Sequence, residues 1–121
     1  IITGLDTMIV GNCDHFAEWC ETEWPHIALP RNPDKPEEAC NGITLVPPGF
    51  ADVWKTWNGE NDMVWSRKQP HVFIDDLWPG HVASYKRHVK GRDLEDERVV
   101  YFHGEEKPHQ LDLVWVKENW V

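Results

Sequence analysis

A chain of 121 residues, 40% hydrophobic and 27% charged, is long enough to bury a core and sized for one domain or part of one. Its 21 acids against 12 bases give a net charge of −9, which argues against unaided binding to nucleic-acid phosphates or to an anionic membrane. No apolar run reaches membrane-spanning length, no signal peptide is visible, and three loosely spaced cysteines point to reduced thiols and a cytoplasmic setting rather than a disulfide framework.

In chain order, "IITGLDTMIV" is nearly all apolar or β-branched with one acid, Asp6, and predicts a strand buried on both faces. "GNCD" turns the chain into "DHFAEWCETEW", a short helix with Asp14 as its N-cap. "HIALPR" predicts a second strand and "NPDKPEE" a loop held extended by its prolines. "CNGITLV" is the next strand, ended by Pro47-Pro48-Gly49. Apolar residues at 50, 53, 54 and 57 give "FADVWKTW" a helical period, and "GENDMVWSRK" predicts a helix that opens with acids at its positive end.

"HVFIDDLWPG" reads as a short strand and a turn. "HVASYKRHV" alternates, with Val82, Ser84, Lys86 and His88 on one face. "GRDLEDE" is a solvated loop, "RVVYFHG" the last strand and "LDLVWVKENWV" a terminal helix. Strands mixed with helices, without a repeat or a linker, predict an α/β fold with a mixed, mostly parallel sheet flanked by helices, as one domain over residues 1–121.

Several residues carry chemistry. Asp6 sits inside an apolar run, where a carboxylate must be paired, hydrogen-bonded to backbone amides or bound to a metal. His103 ends a hydrophobic strand and is either a satisfied core histidine or a ligand. Gly104 allows a close backbone approach, and Lys107 can then reach an anion as a point charge. Together an acid, an imidazole, a glycine and a lysine suit a divalent cation holding a diphosphate. Glu60 and Asp62 favour a helix N-terminus or flank a reacting centre. Asp75-Asp76 reads as a solvated turn, with acceptor hydroxyls as the alternative. Lys86 and His88 are an exposed face or a phosphate contact. Cys13, His15, Cys20 and His26 are zinc-ligand types without a tight knuckle. Trp19, Trp24, Trp54, Trp57 and Trp65 read as core; Trp78 and Trp120 are weighed as sugar platforms against core packing.

The ordered set resembles the glycosyltransferases of GT-A fold, family 8-like. "FHGEEKPH" resembles the "FHGxxKPHEL" ending of a phage and bacterial group, and more loosely an HxxGxxKPW ending. "TGLDTMIVGN" resembles the metal-binding "DLDTxIxG" strand, with Asp6 at the second acid and Gly4 at the first. "CNGITLV" is similar to "NSGVML", which places Asn41 on the residue that holds the donor sugar. "GENDMVW" is similar to "GDQDxLN" at the reaction centre, onto which Glu60, Asn61 and Asp62 fall. "DDLWPGHVASYKRHV" resembles the "WPxGxxxSYKxH" stretch of the phage and bacterial group.

The resemblance implies a hexose transferred, with retention, from a nucleotide-sugar to an acceptor hydroxyl. It implies Mn²⁺, or Mg²⁺, on Asp6 and His103, and Gly104 and Lys107 at the diphosphate, in the cytoplasm of a bacterial or phage-infected cell. In that fold a nucleotide-binding βαβ region precedes the metal strand, so residues 1–121 correspond to the metal- and acceptor-binding half, and the base pocket is expected upstream. A non-catalytic binding or structural module of phage origin is the alternative.

Overall fold

The computed structural model of the chain describes residues 1–22, 24–50 and 52–120. Its elements run β1 (Ile2–Thr3), β2 (Thr7–Ile9), α1 (Asp14–Cys20), β3 (Ile27–Leu29), β4 (Ile43–Thr44), α2 (Asp52–Lys55), α3 (Asp62–Lys68), β5 (His71–Phe73), α4 (Ile74–Leu77), β6 (Val82–Ser84), β7 (Val99–Tyr101) and α5 (Val114–Asn119). A π-helical turn spans Tyr85–Val89 and a 3₁₀ turn spans Pro108–Gln110. The chain is thus mixed α/β, as composition and patterning predict. Glu23, Ala51 and Val121, which fall in three of the predicted helical stretches, lie outside the described residues.

The strand arrangement differs from one mostly parallel sheet. Three small sheets form: β1 with β4, β3 with β5, and β2-β7-β6. Two pairings are parallel, β3 with β5 and β6 with β7; two are antiparallel, β1 with β4 and β2 with β7. The strands are two or three residues long; Gly4 and Pro30 directly follow β1 and β3, while β5 and β6 run straight into helical turns. An antiparallel bridge between Ala28 and Leu45 ties β3 to the end of β4.

β7 explains the core. Val99 and Tyr101 join Phe16, Ile43, Leu45 and Ile74 on one face, while Val100 and Phe102 join Met8, Tyr85, Val89 and Val116 on the other. Period-two alternation sends successive side chains into opposite clusters, so a strand lined by apolar residues on every position must be covered on both sides. Val99 and Val100 are fully buried, which by area contributes about 1.5–3 kcal/mol each. A third cluster gathers Ile27, Leu29, Ala39 and Val53.

The N-terminal strand does not share this burial. Ile2, Leu5 and Ile9 are exposed and only Met8 is buried, because β1 and β2 each pair along a single edge. At α1 the N-cap is Cys13; Asp14 is the first helical residue, and its N–H is taken by the Asn12 side chain at 2.8 Å. "HVASYKRHV" continues as a strand only to Ser84. There the Ser84 hydroxyl accepts the Arg87 N–H at 3.2 Å and starts the π-helical turn. The acidic loop ahead of β7 is pinned by buried Glu97, which accepts from Arg92 and from the Glu95 N–H at 2.6 Å. Burial pushes the Glu97 carboxyl up, but the Arg92 and backbone hydrogen bonds outweigh it and hold it below the usual range.

Candidate functional site

A half-open cavity of about 760 Å³ lies where the N-terminal segment, the 32–44 segment, α2, α3 and the end of β7 meet. Asp6, Asn41, Asp62 and His103 all line it, although they come from four separate stretches of chain. The β2–β7 register accounts for the first and last of these. Thr7 faces Tyr101, and the Phe102 N–H donates to the Asp6 carbonyl at 2.8 Å, so Asp6 and His103 sit one residue apart across the ribbon.

His103 Nε2 lies 2.6 Å from the hydroxyl of fully buried Ser84, and its ring leans on Tyr101 at 5.9 Å between centroids. Ser84 faces Tyr101 in the parallel β6–β7 register, which brings the hydroxyl to the strand end. Burial pushes the His103 imidazole down; the Asp34 carboxylate pulls it up; Lys86, Arg87 and Lys107 push it further down. It is therefore neutral at pH 7. Asp34, which lines the cavity, is held at 2.6 Å by Arg87.

Asp6 is paired with Lys107, Nζ to Oδ2 at 2.7 Å, and the same ammonium reaches the Phe102 carbonyl at 3.4 Å. Gly104 supplies the turn that makes this possible: its φ of +82° is a left-handed conformation that side chains rarely adopt. Lys107 then leads into the 3₁₀ turn, where its N–H donates to the Gln110 side chain at 2.9 Å. Lys86 approaches the same corner. Its Nζ would stand 3.8 Å from a Cβ added at Gly104, and among the described residues it has no carboxylate partner. Lys86, Arg87 and Lys107 thus cluster at one end of the cavity, Arg87 paired with Asp34 and Lys107 with Asp6, so the excess positive charge there is that of Lys86.

The reaction-centre triplet divides. Asn61 is the N-cap of α3, and its side chain accepts from Met63 and Val64 N–H at 3.0 and 3.3 Å. Glu60 is bound by Lys68 at 2.7 Å. Neither lines the cavity; Asp62 does, using only Oδ1 on the Met63 N–H at 2.8 Å. Asn41 lines the cavity, and among the described residues its side chain has no hydrogen-bond partner. It is followed by Gly42, where an added Cβ would stand 2.7 Å from the Tyr101 ring, so the backbone lies flat on the cavity floor.

Other sequence candidates are employed elsewhere. Asp75 accepts the Arg31 N–H at 2.8 Å and Asp76 pairs with its guanidinium at 2.9 Å, so this acidic pair fixes a turn. His15 meets His81, Nε2 to Nδ1 at 2.8 Å, and His81 meets Asp96 at 3.1 Å; the partners of His15 are not Cys20 and His26. Among the described residues, no three of His, Cys, Asp and Glu converge as a metal group.

The tryptophans divide: Trp19 lies in the core as expected, whereas Trp24 is exposed. Trp78 packs against His15 and Phe16 beside the core, at 5.0 and 5.1 Å between centroids. Trp54 and Trp57, read as core, are about half exposed and line the cavity, as does half-buried Trp65. Asp34 carries no motif, Ser84 falls in the SYKxH part of a motif without a site role, and Trp54 and Trp57 are expected in the core, so none of the four is a site candidate in the sequence. The one available signal was an i, i+3 pair of indoles beside charged residues rather than among aliphatic ones. No described helix is long and apolar enough to cross a membrane. No known family model matches the chain, and no curated protein or solved structure matches it.

Proposed function

We propose that the cavity is the working centre of a GT-A-like glycosyltransferase half, moving a hexose from a nucleotide-sugar to an acceptor hydroxyl. One observation carries this reading: Asp6, Asn41, Asp62 and His103, each within a stretch that resembles a motif of that family, line a single cavity.

Asp6 and His103 are the residues that would hold a divalent ion. Asp6 offers an exposed carboxylate, and His103 offers the ring nitrogen that Ser84 leaves free. A ligand role for His103 requires the tautomer in which Nε2–H donates to Ser84 Oγ and the lone pair sits on Nδ1, with Ser84 Oγ also accepting the Arg87 N–H. One carboxylate and one imidazole suit Mn²⁺ better than Mg²⁺, with the remaining positions left to substrate phosphate and water. When bound, the ion supplies charge neutralisation to the leaving diphosphate. Lys107, released from Asp6, holds that diphosphate at the Gly104 turn. Asn41 hydrogen-bonds the donor sugar. The free Asp62 oxygen stabilises positive charge as the anomeric bond breaks.

The test is hydrolysis of a nucleotide-sugar panel with Mn²⁺. Asp6→Asn and His103→Ala abolish metal-dependent turnover with the circular dichroism spectrum preserved. Lys107→Met loses diphosphate affinity by calorimetry while costing under about 1 kcal/mol of stability, because the Asp6–Lys107 side chains are 52% and 28% exposed. Unchanged turnover in His103→Ala overturns the assignment. A second reading, a non-catalytic binding module, is favoured by one fact: Glu60 and Asn61 are committed to Lys68 and to the helix cap. It predicts nucleotide-sugar binding without hydrolysis.

A further inference from the structure

We infer that the acceptor is itself a neutral saccharide, seated against Trp54 and Trp57; the word acceptor rests on the transfer reading above, while the seat rests on the cavity alone. Isolated exposed apolar residues are ordinary on a protein surface. Two indoles on one cavity wall are not. Trp54 and Trp57 are 51% and 53% exposed. They are one turn apart: the Trp57 N–H donates to the Trp54 carbonyl at 3.2 Å. Trp57 is also held rather than loose. The Trp57 indole N–H donates to the Glu60 carbonyl at 2.8 Å, and the neighbouring Trp65 indole donates to the Val53 carbonyl. Rigid aromatic surface kept in water costs free energy unless a ligand covers it.

Charge and hydrogen-bonding capacity select the ligand. Among the described residues that line the cavity there are two acids besides Asp6, namely Asp34 and Asp62, and no Lys or Arg. The cations stand at the His103 rim instead. Arg87 is paired with Asp34 and Lys107 with Asp6, so Lys86 is the rim cation without a carboxylate partner among the described residues and Asp62 the lining acid without a cation; the tryptophan side thus offers a phosphate or a carboxylate no cation. A neutral ligand with several hydroxyls fits the remaining groups. Asn41 has an uncommitted amide, Asp62 one open carboxylate oxygen, and Asn32, Thr44 and Ser66 complete a polar wall. The C–H faces of a pyranose pack on indole while its hydroxyls bond to amides and carboxylates. A quaternary ammonium also favours indoles beside acids, but it has no use for the amides and hydroxyls.

The experiment titrates the full chain with unphosphorylated lactose, maltose and cellobiose, and separately with choline and with UDP. Tryptophan fluorescence and the indole N–H resonances report binding. At least one disaccharide saturates and shifts the Trp54 and Trp57 indoles. Trp54→Ala and Trp57→Ala each weaken that disaccharide tenfold or more and leave UDP affinity unchanged. Both rings are half exposed, so neither variant removes a core residue; a Trp57→Phe variant retains most of the affinity. Failure of every disaccharide to move these resonances up to its solubility limit overturns the inference. So does choline moving them in preference, or disaccharide binding that survives both alanine variants. Disaccharide binding without any binding or hydrolysis of nucleotide-sugars would sink the transfer reading and leave the seat standing.

Discussion

Gly42→Ala tests the cavity floor directly, with Gly4→Ala as its control. Gly42 has no left-handed backbone requirement, so alanine is conformationally allowed there. The obstacle is contact. A Cβ would lie 2.7 Å from Cγ and 3.0 Å from both Cδ atoms of Tyr101. Tyr101 cannot easily yield, because it is buried, leans on His103 and holds its hydroxyl 3.8 Å from the Cys40 thiol. Overpacking of this kind costs about 1–3 kcal/mol. Gly4 lines the same cavity, has nothing within 4 Å of an added Cβ and no positive φ. Alanine there acts through the unfolded chain alone and stabilises by about 0.4–1 kcal/mol, a gain both variants share.

The difference between the two variants therefore isolates the clash at about 1–3 kcal/mol. An unfolding entropy of about 2.1 cal/mol/K per residue over 121 residues gives about 0.25 kcal/mol/K, so Gly42→Ala melts about 4–12 °C below Gly4→Ala. Thermal unfolding by circular dichroism measures it. Because Tyr101 carries His103, the same variant also weakens ligand binding in the cavity. A Gly42→Ala melting temperature equal to or above that of Gly4→Ala refutes the packing of backbone on ring.

Two further outcomes separate scaffold from site. Asn61→Ala removes the α3 cap and lowers stability by about 0.5–2 kcal/mol in urea unfolding, while nucleotide-sugar turnover at low temperature is retained, since its side chain is spent on Met63 and Val64; lost turnover in a folded variant would return Asn61 to the reaction centre. His103 has a folded-state pKa lowered from the ordinary value near 6.5, so across that window the unfolded chain binds more protons and stability falls as pH drops below about 6.5. His103→Gln removes part of that loss between pH 7 and 5, and His15, lowered in the same direction by burial and by His81, contributes another part; an identical pH profile in His103→Gln would show that its burial is not a cause.

What was legible in the sequence follows from how local each signal is. β7 was readable because four consecutive apolar residues admit one solution, burial on both faces. α3 was readable from its acids and its helical period, though not that Asn61 rather than an acid would cap it. The N-terminal run misled because β-branched composition reports strand tendency, not coverage, and β1 and β2 each end up at a sheet edge. "HVASYKRHV" misled because alternation is silent about a hydroxyl that captures a backbone N–H three residues on and bends the strand. The convergence of Asp6 with His103 could be expected only through the family resemblance, since the register that joins them spans 95 residues of chain. Asp34 carries no pattern, and the patterns that contain Ser84, Trp54 and Trp57 report a strand and a buried helix face rather than a site.

The separation of charge along the cavity is what joins these pieces. The chain carries −9 overall, yet Lys86, Arg87 and Lys107 all act on His103, Arg87 paired with Asp34 and Lys107 with Asp6, while Asp62 is the lining acid without an ion-pair partner among the described residues. Two unit charges 4 Å apart interact by about 1 kcal/mol in water and about 4 kcal/mol at an effective dielectric of 20, so even a partly sheltered rim sorts an anion from a neutral sugar. A nucleotide-sugar has that same division built in, with diphosphate at one end and uncharged hydroxyls at the other. Raising salt screens the rim but not indole stacking. Binding of a nucleoside diphosphate should therefore weaken steeply with ionic strength, and binding of a neutral disaccharide should not. Equal salt dependence of the two, measured by calorimetry on the same preparation, would mean that the cavity has no such polarity.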